Sequence, residues 1–247
     1  MRPHSFPTLE RMVSRQVRRW VLQEERFKAP DVARCVALSR QPGSGAAELG
    51  KRVAKDLQFG FFGAELVDQI ARTSHVHPHL VANLDERLRG AIERFVRDGI
   101  RVREYDESHY YEALMRVLGT FAERGMAVLL GRGAPYVLPE ERTLRVLVVA
   151  SEPCRLARLQ AATGLDAEST RGRLMHEDQQ RQRFIEHYFG VCPDDPTLYD
   201  VVVNTDTLGI SNAASLVTRA YLRKFDKLGS EIQKREFEHP PGNAARL

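Results

Sequence analysis

Between Arg34 and Gly50 an apolar run, a glycine turn and an amphipathic helix follow one another without a linker. Cys35-Val36-Ala37-Leu38-Ser39 has the composition of a buried strand. Ala46–Leu57 keeps Leu49, Val53 and Leu57 in helical phase. The glycines of Pro42-Gly43-Ser44-Gly45 permit backbone angles closed to other residues. Successive N–H groups there can line a concave nest, and the helix opening near Ala46 adds its positive end. Phosphate asks for that geometry more than for any side chain, so Gly43, Ser44 and Gly45 are expected to hold one. A glycine-rich turn without a ligand is the competing reading.

The rest of the chain repeats the alternation. Phe59–Phe62 reads as a second short strand, with a helix over Ala64–Arg72. Leu80–Arg103 is helical in part, and Tyr110–Arg124 sets Leu114, Val117, Leu118 and Phe121 on one face before a stop at Gly125. Ala127–Leu130 and Leu144–Ala150 are solid apolar runs. Pro153–Ala161 is a helix with Ser151 as candidate N-cap, Glu168–His187 a heavily charged helix, Val201–Val203 a last strand and Ser211–Leu228 a last helix. Strands that are apolar throughout and separated by helices predict an α/β fold, with a mainly parallel sheet covered on both faces. Residues 1–30 form an extension whose Leu9, Met12, Val13, Val17, Trp20 and Val21 make an amphipathic helix. A domain over 31–228 follows, and 229–247 is a polar tail expected to be disordered.

The Walker pattern GxxxxGK[ST] is not met: Ala46 stands where its lysine would, followed by Ala47 and Glu48. That lysine ordinarily neutralises the β- and γ-phosphates. Lys51 lies too far along the helix to replace it, and Arg40, at the start of the loop, is the nearer cation.

Three segments resemble the cytidylate kinase-like family, a branch of the P-loop nucleoside-monophosphate kinases. They are Ser39-Arg40-Gln41-Pro42-Gly43-Ser44-Gly45 with Glu48-Leu49-Gly50-Lys51; Val128-Leu129-Leu130-Gly131-Arg132-Gly133-Ala134; and the run from Asp178 through Arg181, Arg183 and Tyr188-Phe189-Gly190 to Asp195-Pro196, Leu198-Tyr199-Asp200 and Asn204-Thr205. The resemblance spans about Arg34 to Phe225. It implies a three-layer αβα fold with a five-stranded sheet and a helical lid, and ATP with Mg²⁺ as phosphoryl donor to a nucleoside monophosphate. Arg132 would bind the acceptor. Arg181 and Arg183, with Arg173 a weaker third, would offset charge on the transferring group, and Asp178 would orient those arginines. Gly63 stands where an aspartate is usual, Gln69 where cytidylate kinases carry a substrate arginine, and Ala134-Pro135 where they carry an acid. The base of the acceptor is therefore not legible, although a pyrimidine is the first expectation. A catalytically silent nucleotide sensor and a kinase of another small phosphorylated molecule stay open.

The formal charge of +4 agrees with an anionic partner without choosing one. No stretch approaches the roughly 18 apolar residues that span a bilayer. The start of the chain, with Arg2, His4 and Arg11, does not resemble a secretory signal. Cys35, Cys154 and Cys192 are scattered, which suits reduced thiols and a cytoplasmic setting. No metal site is expected: His75-Val76-His77-Pro78-His79 is interrupted by proline and lacks companion ligands. Arg94, Arg97, Arg101 and Arg103 read as a solvated face rather than a nucleic-acid surface. Oligomeric state is left open.

Overall fold

The computed structural model of the chain describes residues 34–65, residue 67 and residues 105–225, with the backbone alone for 105–110. The amphipathic segment 8–26, the histidine cluster, the charged stretch 80–103, Gln69 and the tail lie outside them. Strand β1 (Cys35–Arg40) leads through the glycine loop into helix α1 (Ala46–Asp56), and β2 (Gly60–Phe62) follows. Then come α2 (Tyr105–Arg124), β3 (Ala127–Leu130), the single turn α3 (Ala134–Val137) and β4 (Thr143–Val149). Helices α4 (Glu152–Thr163) and α5 (Ala167–Phe189) precede β5 (Val201–Asn204) and α6 (Thr205–Phe225). Helix α6 begins six residues before the expected start and is broken at Gly209, whose φ is +71°.

The five strands lie in the order β2-β3-β1-β4-β5. Every pairing is parallel, from Cys35 opposite Ala127 and Thr143 to Val146 opposite Val201. Because side chains alternate across the sheet, β1 feeds two cores at once. Cys35 and Ala37 pack with Tyr111, Leu114, Leu118 and Phe121 of α2. Val36 and Leu38 pack with Leu49 and Val53 of α1 and with Ala213 and Val217 of α6. A strand buried on both faces must be apolar throughout, which is why the sequence shows runs rather than alternation.

Helices α4 and α5 stand apart from this layering. None of α4 is buried, and α5 buries only Thr170, Leu174 and Ile185. Their ends are made by local chemistry. Ser151 accepts a hydrogen bond from Cys154 N as N-cap of α4, and Asp166 accepts from Glu168 N and Ser169 N, both at 3.0 Å, at the start of α5. The pair forms a helical arm with little apolar attachment, the composition expected of a segment of low local stability.

Candidate functional site

The loop after β1 is wound as a phosphate cradle requires. Gly43 and Gly45 take φ of +76° and +78°, and Ser44 N closes the turn on Gln41 O at 3.1 Å. The N–H groups of Gly43, Gly45, Ala46 and Ala47 have no acceptor among the described residues. Four donors thus converge at the positive end of α1, a donor set that fits a phosphate group. Ala46, in the lysine's position, is buried in the core with Leu38 and Leu49.

The back of the loop is fixed by residues that sequence reasoning missed. Arg155 of α4 donates to Pro42 O at 3.3 Å. Arg158 donates to Ser44 O at 3.0 Å and to Thr205 Oγ1 at 2.8 Å, and Thr205, fully buried, donates to Ser44 O at 2.6 Å. A Cβ on Gly43 would lie 2.7 Å from Arg155 O, and one on Gly45 2.7 Å from Ile210 Cδ1. The loop's contacts are therefore with α4 and α6, which follow β4 and β5.

Arg132 lies past the carboxyl end of β3, where open α/β sheets form their ligand crevice. Gly131, Arg132 and Gly133 are all left-handed, with φ of +81°, +52° and +74°. For the arginine that conformation costs about 1–2 kcal/mol, strain of the kind that gathers at functional sites. Its guanidinium carbon sits 5.4 Å from the Phe184 ring centroid. Behind it, Phe189 at the end of α5 fills the space beside Gly133: a Cβ there would be 1.9 Å from Phe189 Cζ. The Gly-Arg-Gly segment and Tyr188-Phe189-Gly190 are thus two halves of one contact.

Arg40 leaves β1 on the side away from the loop's glycines. Its Nη1 would be 2.8 Å from a Cβ on Gly131, beside Ala64. Burial lowers its pKa, with the charges of Arg132 and Arg181 acting in the same direction and Glu65 and Glu177 opposing them. Arg181 completes the group from α5. It pairs with Asp194 at 2.9 Å and donates to Pro193 O at 3.0 Å and to Ser39 Oγ at 3.2 Å. Burial raises the pKa of the Tyr199 phenol, which donates to Pro193 O at 2.7 Å and shares a hydrogen bond with Tyr136. A polar chain therefore runs from Arg181 into the core and holds the guanidinium at three points.

The other lid residues fall elsewhere. Asp178 does not orient Arg181 or Arg183: both its oxygens lie 2.9 Å from Arg155 Nη1, tying α5 to α4 and, through Arg155, to the loop. Three residues from Arg181 along one helix, Asp178 faces the neighbouring helix instead. Arg183 is exposed, and Arg173 pairs with Glu177 at 2.8 Å on the outer face. The structure brings Arg40, Arg132 and Arg181 together at the end of the sheet that carries the loop, with Arg40 turned toward Gly131 and away from the loop's glycines, where the sequence places it. Arg183 and Asp178 lie outside that group.

Among the described residues no three acidic, histidine or cysteine side chains gather as a metal site, and no helix is long and apolar enough to cross a membrane. The profile of the cytidylate kinase-like family matches residues 35–207. A cytidylate kinase of Staphylothermus marinus is 25% identical over 194 residues, covering 78% of this chain and 98% of that one. A cytidylate kinase of Desulfurococcus amylolyticus is 26% identical over 184 residues, covering 74% and 89%. An uncharacterised protein of Eubacterium ventriosum of known structure superposes with a TM-score of 0.52 at 16% identity, covering 75% of this chain and 96% of that one, and so shares the fold.

Proposed function

The chain belongs to the cytidylate kinase-like family, and we propose that it transfers the γ-phosphoryl group of ATP to a nucleoside monophosphate, a pyrimidine one such as CMP first. The observation that carries this is the placing of four unengaged loop N–H donors and three arginines at the same end of the sheet.

In this reading the N–H groups of Gly43, Gly45, Ala46 and Ala47 hold the donor's phosphates, and the α1 dipole favours their charge. Magnesium bound with the triphosphate would supply neutralisation of its phosphate charge; among the described residues no three acidic, histidine or cysteine side chains gather to hold it. Arg132 fixes the acceptor's phosphate, bidentate if both its Nη atoms engage. An acceptor phosphate oxygen attacks the γ-phosphorus in line. The new P–O bond forms as the bond to the β–γ bridging oxygen breaks, and ADP leaves with that electron pair. Arg181, already held by Ser39, Pro193 and Asp194, offsets charge on the equatorial oxygens at little reorganisation cost. Positioning and charge do the work, with no nucleophile from the protein.

Ala46 favours a second reading, a nucleotide-binding protein without turnover. Incubation with ATP–Mg²⁺ and CMP, dCMP, UMP, AMP or GMP, following ADP release, decides between them. Turnover lowered about a hundredfold or more by Arg132→Ala supports the kinase. Nucleotide binding without turnover supports the second reading, and no binding removes both.

A further inference from the structure

Three of the strand ends divide the cations from the loop. In the order β2-β3-β1-β4-β5, the loop's glycines pack against α4 and α6 on the β4–β5 side. Arg40 goes the other way. It crosses Gly131 on the β3 side, with Ala64 after β2 as its neighbour, and shares that space with Arg132 and Arg181. Gly131 is the residue that lets it pass, since a side chain there would meet Nη1 at 2.8 Å.

The Arg40 side chain is part-buried and makes no hydrogen bond or ion pair among the described residues. Leaving those donors without a protein partner costs free energy unless water or a ligand takes them. Two cations beside it raise that cost, and the acids nearby do not close on it: Glu177 is paired with Arg173 and Asp194 with Arg181, while Glu65 is exposed. The pocket asks for a compact, doubly charged anion presenting several oxygens.

We propose that Arg40 is a ligand of the acceptor's phosphate, forming with Arg132 a clamp from adjacent strands β1 and β3 that takes a phosphate monoester dianion. This rests on the kinase reading of the same site. It assigns Arg40 to the acceptor and not to ATP, so it does not stand in for the missing lysine. Bidentate contacts from two guanidiniums select a terminal phosphate, with its three free oxygens, over a diester.

The test uses the full chain, with Kd for CMP and for ATP–Mg²⁺ measured separately by titration calorimetry, alongside KM for each. Arg40→Ala is expected to weaken CMP at least about tenfold while ATP changes less than about twofold. Arg40→Lys keeps the charge but loses the fork, and is expected to recover only part of the CMP affinity. It also guards against a misfolded alanine variant, as does an unchanged circular dichroism spectrum. Weakened ATP with unchanged CMP would place Arg40 on the donor and overturn the proposal. So would unchanged affinity for both. A wild-type protein that binds CMP but never turns over refutes the kinase reading alone, and Arg40 is then judged on Kd. If CMP and the other monophosphates fail to bind, both ideas fall.

Discussion

Gly133→Ala should be the most damaging single-methyl addition among the described glycines. Two costs combine. Residue 133 has φ of +74°, so any L side chain there pays about 1 kcal/mol for the left-handed region. The added Cβ would lie 1.9, 2.4 and 2.7 Å from three carbons of the Phe189 ring. That ring cannot simply swing aside. It lies against Tyr136 at 5.5 Å between centroids, Phe184 at 6.0 Å and Tyr111 at 6.4 Å, inside the cluster that α2 builds on the sheet. Overpacking of this kind costs about 1–3 kcal/mol, so the sum is about 2–4 kcal/mol. Urea unfolding at 25 °C reads it as a lowered midpoint with unchanged slope. A double-mutant cycle separates the two costs. In a Phe189→Ala background the steric part is gone, and Gly133→Ala should cost only the backbone part. The coupling between the two positions should then be about 1–3 kcal/mol. Additive effects, or a neutral Gly133→Ala, would show that the Gly-Arg-Gly turn and the end of α5 are not one packed unit.

Tyr199→Phe should lower kcat about tenfold at unchanged ATP KM, because the Pro193 carbonyl that Tyr199 and Arg181 share loses a donor and Arg181 is held less firmly; an unchanged kcat would show that the chain from Tyr199 does not position it. Arg155→Ala should release Asp178 and loosen the arm, read as faster amide exchange over residues 170–185 with the sheet unchanged. Hydrogen bonds from Ser169 and Thr197 hold the Asp166 and Asp195 carboxyls below the usual carboxylate value. Their contribution is complete above the unfolded value near pH 4 and is lost as pH falls through the folded one. Helix content of the arm should therefore decline as pH falls below about 4, and less so in Asp166→Asn. Finally, burial pushes the Cys35 thiol up to about 12, so a disulfide reagent at pH 8 should modify exposed Cys192 readily and Cys35 only on unfolding.

The sheet was legible because burial on both faces writes itself into composition. Ala127–Leu130 sits between Gly125 and Gly131 and matches the strand residue for residue. Helix starts were harder. Helix α2 begins at Tyr105, five residues early, since Asp106-Glu107-Ser108-His109 carries no apolar period. Helix α6 begins at Thr205 because a helical turn precedes the break at Gly209, and the glycine at that break reads as a loop. In the site, Arg132 and Arg181 could be found by resemblance, and the glycines by the geometry they permit. Arg155, Arg158 and Thr205 could not. They act on backbone carbonyls of the loop, more than a hundred residues away in sequence, and no periodicity encodes such a pairing. Two arginines three apart after Ser151 were the one available signal, and on an exposed helix that spacing is ordinary.

The absent lysine changes how the site must be assembled. A lysine at the helix start would belong to the rigid core, present whether or not the arm is seated. Here position 46 is an alanine packed into that core, and the cations come from β1, from β3 and from α5. Arg40 is fixed by the sheet, Arg132 by the sheet and the Phe184 ring of α5, and Arg181 is carried by the arm. The arm, its two helices tied together by Asp178 on Arg155, is attached in turn by Tyr188 against Tyr111, Phe189 against Gly133, and Arg181 on Ser39. Arg155 also grips Pro42 of the loop. Seating the arm therefore does two things at once, bringing a cation to the crevice and steadying the loop's backbone. Under the proposed function, binding of the donor at the loop and delivery of Arg181 share one mechanical element. Breaking the Arg155–Asp178 pair should then lower kcat more than it weakens acceptor binding, since Arg40 stays in place without the arm.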